Sequence, residues 1–476
     1  MRRRLILILA LGWVGLPELA AAADWTSLIK DDALREWQAG GGEASFSAKA
    51  GTLTVDGPGQ IMYLPAGKPL DLQSFELRAE VLTRPGGRAG LAFHLTGKDP
   101  RSSGGLEVRV DNTYSRPGPG QSLLKTGSLV WLRPVVKSVV PDDRWFALHV
   151  SVRGRRVQVR VDKRLVVDYV EPADASVGPR LRRGTVAVRG HGGGAVLIRK
   201  LELRPLDAGP PTKPAPLDAT DLELARLREL GYPLVDFHIR LRDGLTPDDV
   251  TACSRRTGIG PGITVPCGRG LPVADDKAAV AFLKTVQGRP VFVGMKAEGR
   301  DWTRLFSPAT VSRFDYVLTD AMTLTDHRGR RTRLWVKEEV DVPDPQAFMD
   351  HLVKTIETIL EKEPIDIYAN PTYLPEVLAK DYDRLWTPER MKRVVNALAK
   401  SGVALEINDR LHLPGPALIK MARRAGVKFV LGGGNDGRTP GRLEYGLRMI
   451  RDCALTPEDL WAPKPDGKKP IQVRKR

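Results

Sequence analysis

The chain has 476 residues, 28% of them charged and 42% hydrophobic, with a formal net charge of +17. That length and apolar content suffice for two buried cores, and the basic balance admits nucleic acid, acidic polysaccharide or anionic lipid as partners. Nucleic acid is set aside, because the arginines are scattered along strand-like segments with no aromatic-interleaved basic helix to follow a phosphate backbone.

At the start, Arg2, Arg3 and Arg4 precede the apolar run Leu5 to Leu16, and Ala20 to Ala23 offers small residues for cleavage near Ala23. This is the pattern of a secretory signal peptide over residues 1–23. Its apolar run falls short of the roughly 20 residues that span a bilayer. Removing it takes away three arginines and one glutamate and leaves a charge of +15. The expectation is a secreted or periplasmic protein with no membrane span after signal removal. Cys253, Cys267 and Cys453 allow at most one internal bridge and match no zinc spacing.

Residues 24–205 read as an all-β domain. Phe75, Leu77, Ala79 and Val81 alternate with Glu76, Arg78 and Glu80, and Leu106, Val108 and Val110 alternate with Glu107, Arg109 and Asp111. Period-two alternation gives each strand one buried and one wet face. From Trp145 to Val170 the pattern is a meander with tight turns at Arg153-Gly154 and Asp162-Lys163. Many short strands with Gly and Pro punctuation predict a β-sandwich. Residues 206–219, which include Gly209-Pro210-Pro211 and Pro214-Ala215-Pro216, form a Pro-rich linker.

From residue 220 the period changes. Thr220 is the expected N-cap of a helix through Leu224, Leu227 and Leu230. Strands are predicted at Leu234–Ile239, Gly262–Cys267, Val291–Ala297, Tyr316–Thr319, Ile365–Ala369, Ala404–Ile407 and Lys428–Gly432, alternating with amphipathic helices. The clearest helix runs from Pro345 to Glu361, capped by Asp344. The alternation over residues 220–462 predicts an α/β barrel of the (β/α)7 type, with a flat doubly wound sheet as the alternative. Residues 463–476 are a basic, solvated tail.

In such a barrel the loops after the strands build the functional site. These positions are polar here: Asp236, His238 and Arg240; Lys296, Glu298 and Arg300; Asp320, Asp326 and His327; Asn370; Glu406, Asn408 and Asp409; Asn435 and Asp436. Asn370, Asn408 and Asn435 suit sugar hydroxyls, which want mixed donors and acceptors. Tyr373, Trp302 and Trp386 are candidate stacking platforms.

Residues 230–462 resemble the PHP (polymerase and histidinol phosphatase) superfamily of metal-dependent phosphoesterases. The resemblance rests on Phe237-His238-Ile239-Arg240, on Glu298 in Val293-Gly-Met-Lys-Ala-Glu-Gly-Arg-Asp-Trp302, on Ile367-Tyr-Ala-Asn370-Pro371 and on Asn435-Asp436-Gly437. It implies a (β/α)7 barrel and a metal site, but a degenerate one. Arg240 stands where a second histidine is expected, Asn370 replaces a histidine, and the last strand lacks its histidine. Arginine cannot ligate a metal, because its guanidinium stays protonated. The resemblance leaves His238, Glu298 and His327 as a reduced site for one divalent metal, with no metal at all as the alternative; Glu298 is also a candidate catalytic group. Arg240, aided by Lys296, is expected either to bind an anionic substrate group or to pair with Glu298.

Residues 24–205 resemble the 3-keto-disaccharide hydrolase domain family, a concanavalin-like sandwich. The carriers are Phe75-Glu-Leu-Arg-Ala-Glu, Ala89-Gly-Leu-Ala-Phe-His-Leu, Gly105-Leu-Glu-Val-Arg-Val-Asp111 and Lys125-Thr-Gly127. The resemblance implies cleavage of glycosides oxidised at C3, a general acid–base task. Glu107 and Asp111 share one strand face with Arg109 between them, and His94 is expected on that side of a neighbouring strand. Glu107 and Asp111 are the catalytic candidates, with Glu107 as the base; His94 and Arg109 are substrate-binding candidates. Three functional readings follow. One is a carbohydrate-active hydrolase working through the sandwich. The second is a metal-dependent phosphoesterase barrel with a glycan-binding sandwich. The third is a non-catalytic exported glycan-binding protein. A carbohydrate or small anion is the expected partner.

Overall fold

A computed structural model describes residues 24–42, 45–97, 99, 101, 104–114, 123–172, 180–207, 214, 217–435, 437 and 439–473. The expected leader, most of the Pro-rich linker and Asp436 lie outside the described residues.

The first half is a sandwich of two antiparallel sheets. One runs in the order Arg164–Val170, Arg156–Val161, Phe146–Arg153, Phe75–Thr83, Val196–Pro205, Thr52–Asp56, Ser45–Lys49, with Thr26–Ser27 paired to Val196–Pro205. The other runs Trp37–Gly42, Pro58–Tyr63, Thr185–Gly192, Arg88–Leu95, Leu106–Asp111. The alternating apolar residues do what their period dictates: Phe75, Leu77, Val81, Leu91, Phe93, Val108, Val150 and Val159 are buried together between the sheets. The three strands from Phe146 to Val170 form the expected meander.

The second half contains a closed barrel of seven parallel strands: Val235–Arg240, Gly260–Cys267, Phe292–Ala297, Tyr316–Thr319, Ile367–Tyr368, Ala404–Asn408 and Phe429–Gly432. All seven fall on the predicted segments, and closure excludes the flat-sheet alternative. Helices lie between them, such as Pro345–Lys362, whose Asp344 cap accepts from the amides of Gln346 and Ala347. The first helix is capped differently from the expectation. Ala219–Glu229 takes Asp218 as its N-cap in a reciprocal box with Asp221, and Thr220 sits inside the helix. Asp218 wins because Asp221 lies three residues on, so each side chain satisfies the other's orphan amide.

The barrel interior is layered. Val235, Phe237, Phe292, Tyr316, Ile367, Ala404 and Val430 form an apolar floor. The Tyr316 hydroxyl donates to the Phe237 carbonyl at 2.7 Å. The sandwich seals this floor. Leu123 and Val136, from the segment between its strands, belong to the same buried cluster. The Lys137 ammonium lies 2.7 Å from Asp315, just before the fourth barrel strand, and Tyr114 donates to the Pro463 carbonyl at 2.6 Å. The tail is not wholly solvated either: Ile471 is buried and Lys469 donates to the carbonyls of Ser312 and Phe314. Cys253, Cys267 and Cys453 are all free and buried. The described part of the chain contains no helix long and apolar enough to cross a membrane.

Candidate functional site

Two polar clusters stand out, one on the sandwich and one at the barrel mouth opposite the sealed floor.

On the sandwich, strand Leu106–Asp111 turns Val108 and Val110 inward and Glu107, Arg109 and Asp111 outward. Glu107 is buried nonetheless. Its Oε1 lies 2.9 Å from His191 Nε2 and 3.3 Å from Arg109, and its Oε2 lies 3.3 Å from Arg189. Room for it comes from Gly90 on the adjacent strand, where a Cβ would sit 2.3 Å from Glu107 Oε1. Arg189 is itself held by Gln60 at 2.6 Å and the Gly104 carbonyl at 2.7 Å. Burial works to raise the Glu107 pKa, but the His191 hydrogen bond and the charges of Arg109 and Arg189 outweigh it and bring it down to about 2. A carboxylate so acidic is a poor proton acceptor near neutral pH. It does fix its neighbour's tautomer. An ionised carboxylate only accepts, so the shared proton sits on His191 Nε2 and the neutral ring carries its lone pair on Nδ1.

Asp111, on the same face, is paired with Lys125 at 3.0 Å, and burial raises its pKa above the usual carboxylate value. His94 departs from the expectation. Its backbone has φ of +57°, and the pairing of its strand with Thr185–Gly192 slips between Thr185 and Val186. This bulge turns the ring away from Glu107, to pack edge-on to Phe75 and Phe93. There Nε2 meets the Gln73 carbonyl at 3.1 Å and Nδ1 accepts from the Arg182 amide, and burial lowers its pKa to about 4. His191 and Arg189 were missed in the sequence, although Val186 and Val188 alternate with Ala187, Arg189 and His191. The flanking glycines Gly184, Gly190 and Gly192 mask that strand as loop.

At the barrel mouth a cavity of about 470 Å³ is lined by His238, Arg240, Lys296, Glu298, Asn370, Tyr373, Arg410 and Trp335, among others. His238 Nδ1 lies 2.6 Å from Glu406 Oε1. Burial pushes Glu406 up, but the His238 ring outweighs it and holds the carboxyl below its ordinary value. Its other oxygen accepts from the Asn370 amide at 2.6 Å and from Asn408 Nδ2 at 3.2 Å. His238 Nε2 is buried without a hydrogen-bond partner. Lys296 Nζ sits 2.6 Å from Glu298 and 3.2 Å from Asp320. Burial works against its charge, but Asp320 and Glu298 prevail and hold its pKa above the ordinary lysine value.

The remaining candidates take other roles. Arg240 forms no pair with Glu298; its guanidinium donates to the carbonyls of Gly434 and Asn435, while Glu298 is held by Lys296. Asn435 bridges back to the main chain of Arg240 and to the Gly437 carbonyl. Asn408 is fully buried and supports Asn370, Glu406 and the Leu411 amide. Asp236 faces the helix layer rather than the mouth, beside Val250 and Cys253, and burial raises its pKa to about 6. Trp302 and Trp386 are core residues whose indole N–H groups donate to Glu363 and the Thr372 carbonyl. Trp335, which sequence reasoning passed over, is 47% exposed at the cavity rim.

His238, Glu298 and His327 are not brought together. His327 lines a different pocket with Asp341, Asp344 and His351, beside the hairpin strand Thr323–Thr325. Among the described residues no three His, Cys, Asp or Glu side chains form a group able to hold a metal ion. The mouth does not fit one, because an ammonium already lies between the carboxylates of Glu298 and Asp320.

The two halves thus define an antiparallel β-sandwich joined to a closed parallel barrel. Residues 24–204 match the model of the 3-keto-alpha-glucoside-1,2-lyase-like domain family. No curated protein matches the chain. Among solved structures, a provisionally named glycosyl hydrolase from Parabacteroides distasonis is 16% identical, covering 38% of this chain and 100% of its own at a TM-score of 0.32. The carbohydrate-binding module CBM66 from Bacillus subtilis is 12% identical, covering 36% and 95% at a TM-score of 0.25. Histidinol phosphate phosphatase from Lactococcus lactis, in complex with zinc, histidinol and phosphate, is 13% identical, covering 51% and 98% at a TM-score of 0.39.

Proposed function

We propose that this chain is an exported carbohydrate-active enzyme whose sandwich cleaves glycosides carrying a ketone at C3. The observation that carries the reading is the His191–Glu107 pair flanked by the guanidinium groups of Arg109 and Arg189. The family match over residues 24–204 supports the substrate class. The leader-like residues 1–23 support export.

The chemistry follows from the ketone. It acidifies the C2 proton, which His191 Nδ1 removes while Glu107 stabilises the imidazolium through Nε2–H. The electron pair moves onto the C3 oxygen, where Arg109 and Arg189 offset the developing charge. Collapse of this enolate forms the C1–C2 double bond, breaks the C1–O bond and releases the alcohol, which takes a proton from the imidazolium. Addition of water across the double bond gives the free 3-keto sugar, so the net change is hydrolysis. In this scheme Glu107 orients and His191 transfers the proton.

The test is release of alcohol from a 3-keto-glycoside by the full-length protein. His191→Asn is expected to lower kcat by about 10²–10⁴-fold, while Arg410→Gln at the barrel mouth retains turnover. Undiminished turnover in His191→Asn would sink the proposal.

A further inference from the structure

The sandwich chemistry leaves the barrel mouth unused. We infer that its cavity binds an uncharged sugar ring, with a hydroxyl group recognised at His238 and the carbon face at Trp335. Its volume of about 470 Å³ lies in the usual range for small-molecule sites of about 300–1,000 Å³.

The charges of the wall are already matched within the protein, and this sets the charge of the ligand. Lys296 bridges Glu298 at 2.6 Å and Asp320 at 3.2 Å. Arg240 donates to the carbonyls of Gly434 and Asn435, Arg242 pairs with Asp243 at 3.0 Å, and Arg410 is engaged as well. A charged ligand group entering here gives up its water without meeting an uncommitted counter-charge, and burying a charge on those terms is costly. A neutral polyol carries no such cost.

His238 supplies the contact for a hydroxyl. The residue is 3% exposed and lines the cavity. Its Nδ1 lies 2.6 Å from the Glu406 carboxylate, which only accepts, so the proton sits on Nδ1 and the neutral ring carries its lone pair on Nε2. Nε2 is buried without a hydrogen-bond partner. Buried polar atoms are nearly always paired, and this one wants a donor. A sugar hydroxyl has a hydrogen to give; an ionised carboxylate or phosphate oxygen has none.

The aromatic side of the cavity comes from Trp335, 47% exposed, and Tyr373. Exposed aromatic faces beside polar groups suit the apolar C–H face of a sugar ring. The turn that leads into Tyr373 is strained, with φ of +46° at Asn370 and +59° at Thr372, the second a β-branched residue that rarely adopts this region. It is pinned by the Trp386 indole N–H, which donates to the Thr372 carbonyl at 3.0 Å, and by the Tyr382 hydroxyl, which donates to the Thr372 hydroxyl at 2.6 Å. Strain held in place by its surroundings is a mark of a preorganised ligand wall.

The inference stands apart from the sandwich reading because it is measured by binding in the barrel rather than by turnover. Calorimetry and NMR on the full-length protein decide it, with glucose, galactose and mannose as neutral probes and gluconate and glucose 6-phosphate as charged comparisons. At least one neutral sugar is expected to bind, and neither charged comparison more tightly than that sugar. In protein labelled with 15N-histidine, the bound sugar is expected to move the His238 Nε2 resonance, which places it in the barrel and not on the sandwich. Its affinity is expected to fall about tenfold in Trp335→Ala, a substitution at an exposed side chain outside the buried core. Any of four results overturns the inference: no binding of the three neutral sugars, tighter binding of gluconate or glucose 6-phosphate than of every neutral sugar, an unmoved His238 Nε2 resonance at saturation, or full affinity in Trp335→Ala.

Discussion

Among the described residues two histidines meet a glutamate, and in each pair the carboxylate decides which ring nitrogen is free. Glu107 presents His191 Nδ1 on the sandwich, and Glu406 presents His238 Nε2 in the barrel. The low pKa of Glu107 has a consequence for stability. Its folded value of about 2 lies below the ordinary 4.5, so the folded state holds the proton less tightly than the unfolded chain. The stabilisation is therefore present above pH 4.5 and is lost as pH falls towards 2, with a size of about 3 kcal/mol. Glu107→Gln is expected to flatten the fall in stability between those pH values, as followed by urea unfolding. An unchanged pH profile would show that the cluster does not hold the carboxyl ionised. At this scale the sequence was only partly legible. Glu107, Arg109 and Asp111 could be placed on one face by counting in twos. His94 could not, because one extra residue in the pairing reverses the parity of every side chain beyond it. His327 was misplaced for a related reason: a polar residue in a long loop carries no period to say which pocket it enters.

At the scale of elements, all seven barrel strands were legible because each is an apolar run bounded by turn residues, buried on both faces. The last of them ends at Gly432, whose meaning was not legible. A Cβ there would lie 2.1 Å from Glu406 Oε1. The glycine makes space for a buried carboxylate from the adjacent strand, a demand that exists only after the barrel closes. Gly432→Ala is expected to displace Glu406 from His238 and cost about 1–3 kcal/mol, seen as a lowered Tm and as a changed His238 side-chain resonance in NMR. A wild-type Tm and spectrum would contradict the packing described. The sandwich strand Thr185–Gly192 gives the complementary lesson. Gly190 within it and Gly184 just before it look like punctuation, yet they let the Gly57 and Leu95 carbonyls approach closely, and the strand delivers Arg189 and His191.

At the scale of the molecule, the Pro-rich segment suggested two domains on a stiff tether, but the halves share a buried cluster. Val136 packs where a Cβ on Gly260 would approach it to 2.3 Å, and Arg133 reaches the Arg255 carbonyl at 3.0 Å. The sandwich therefore closes the barrel floor and leaves the mouth open. Calorimetric unfolding is expected as one cooperative transition, and Val136→Asp, which buries an unpaired charge at about 3 kcal/mol or more, is expected to split it in two. Two transitions in the unaltered protein would contradict a shared core. Long-range docking of this kind leaves no periodic trace, since Leu123 and Val136 sit in an irregular segment.

The central claim is that cleavage begins with proton removal from C2 at the sandwich face. The most direct measurement is the isotope effect on kcat/KM for a 3-keto-glycoside deuterated at C2. A normal primary effect is expected in the unaltered protein, with solvent hydrogen replacing the C2 deuterium when water adds. Cleavage with no isotope effect, and with the C2 label kept in the product, would contradict the account.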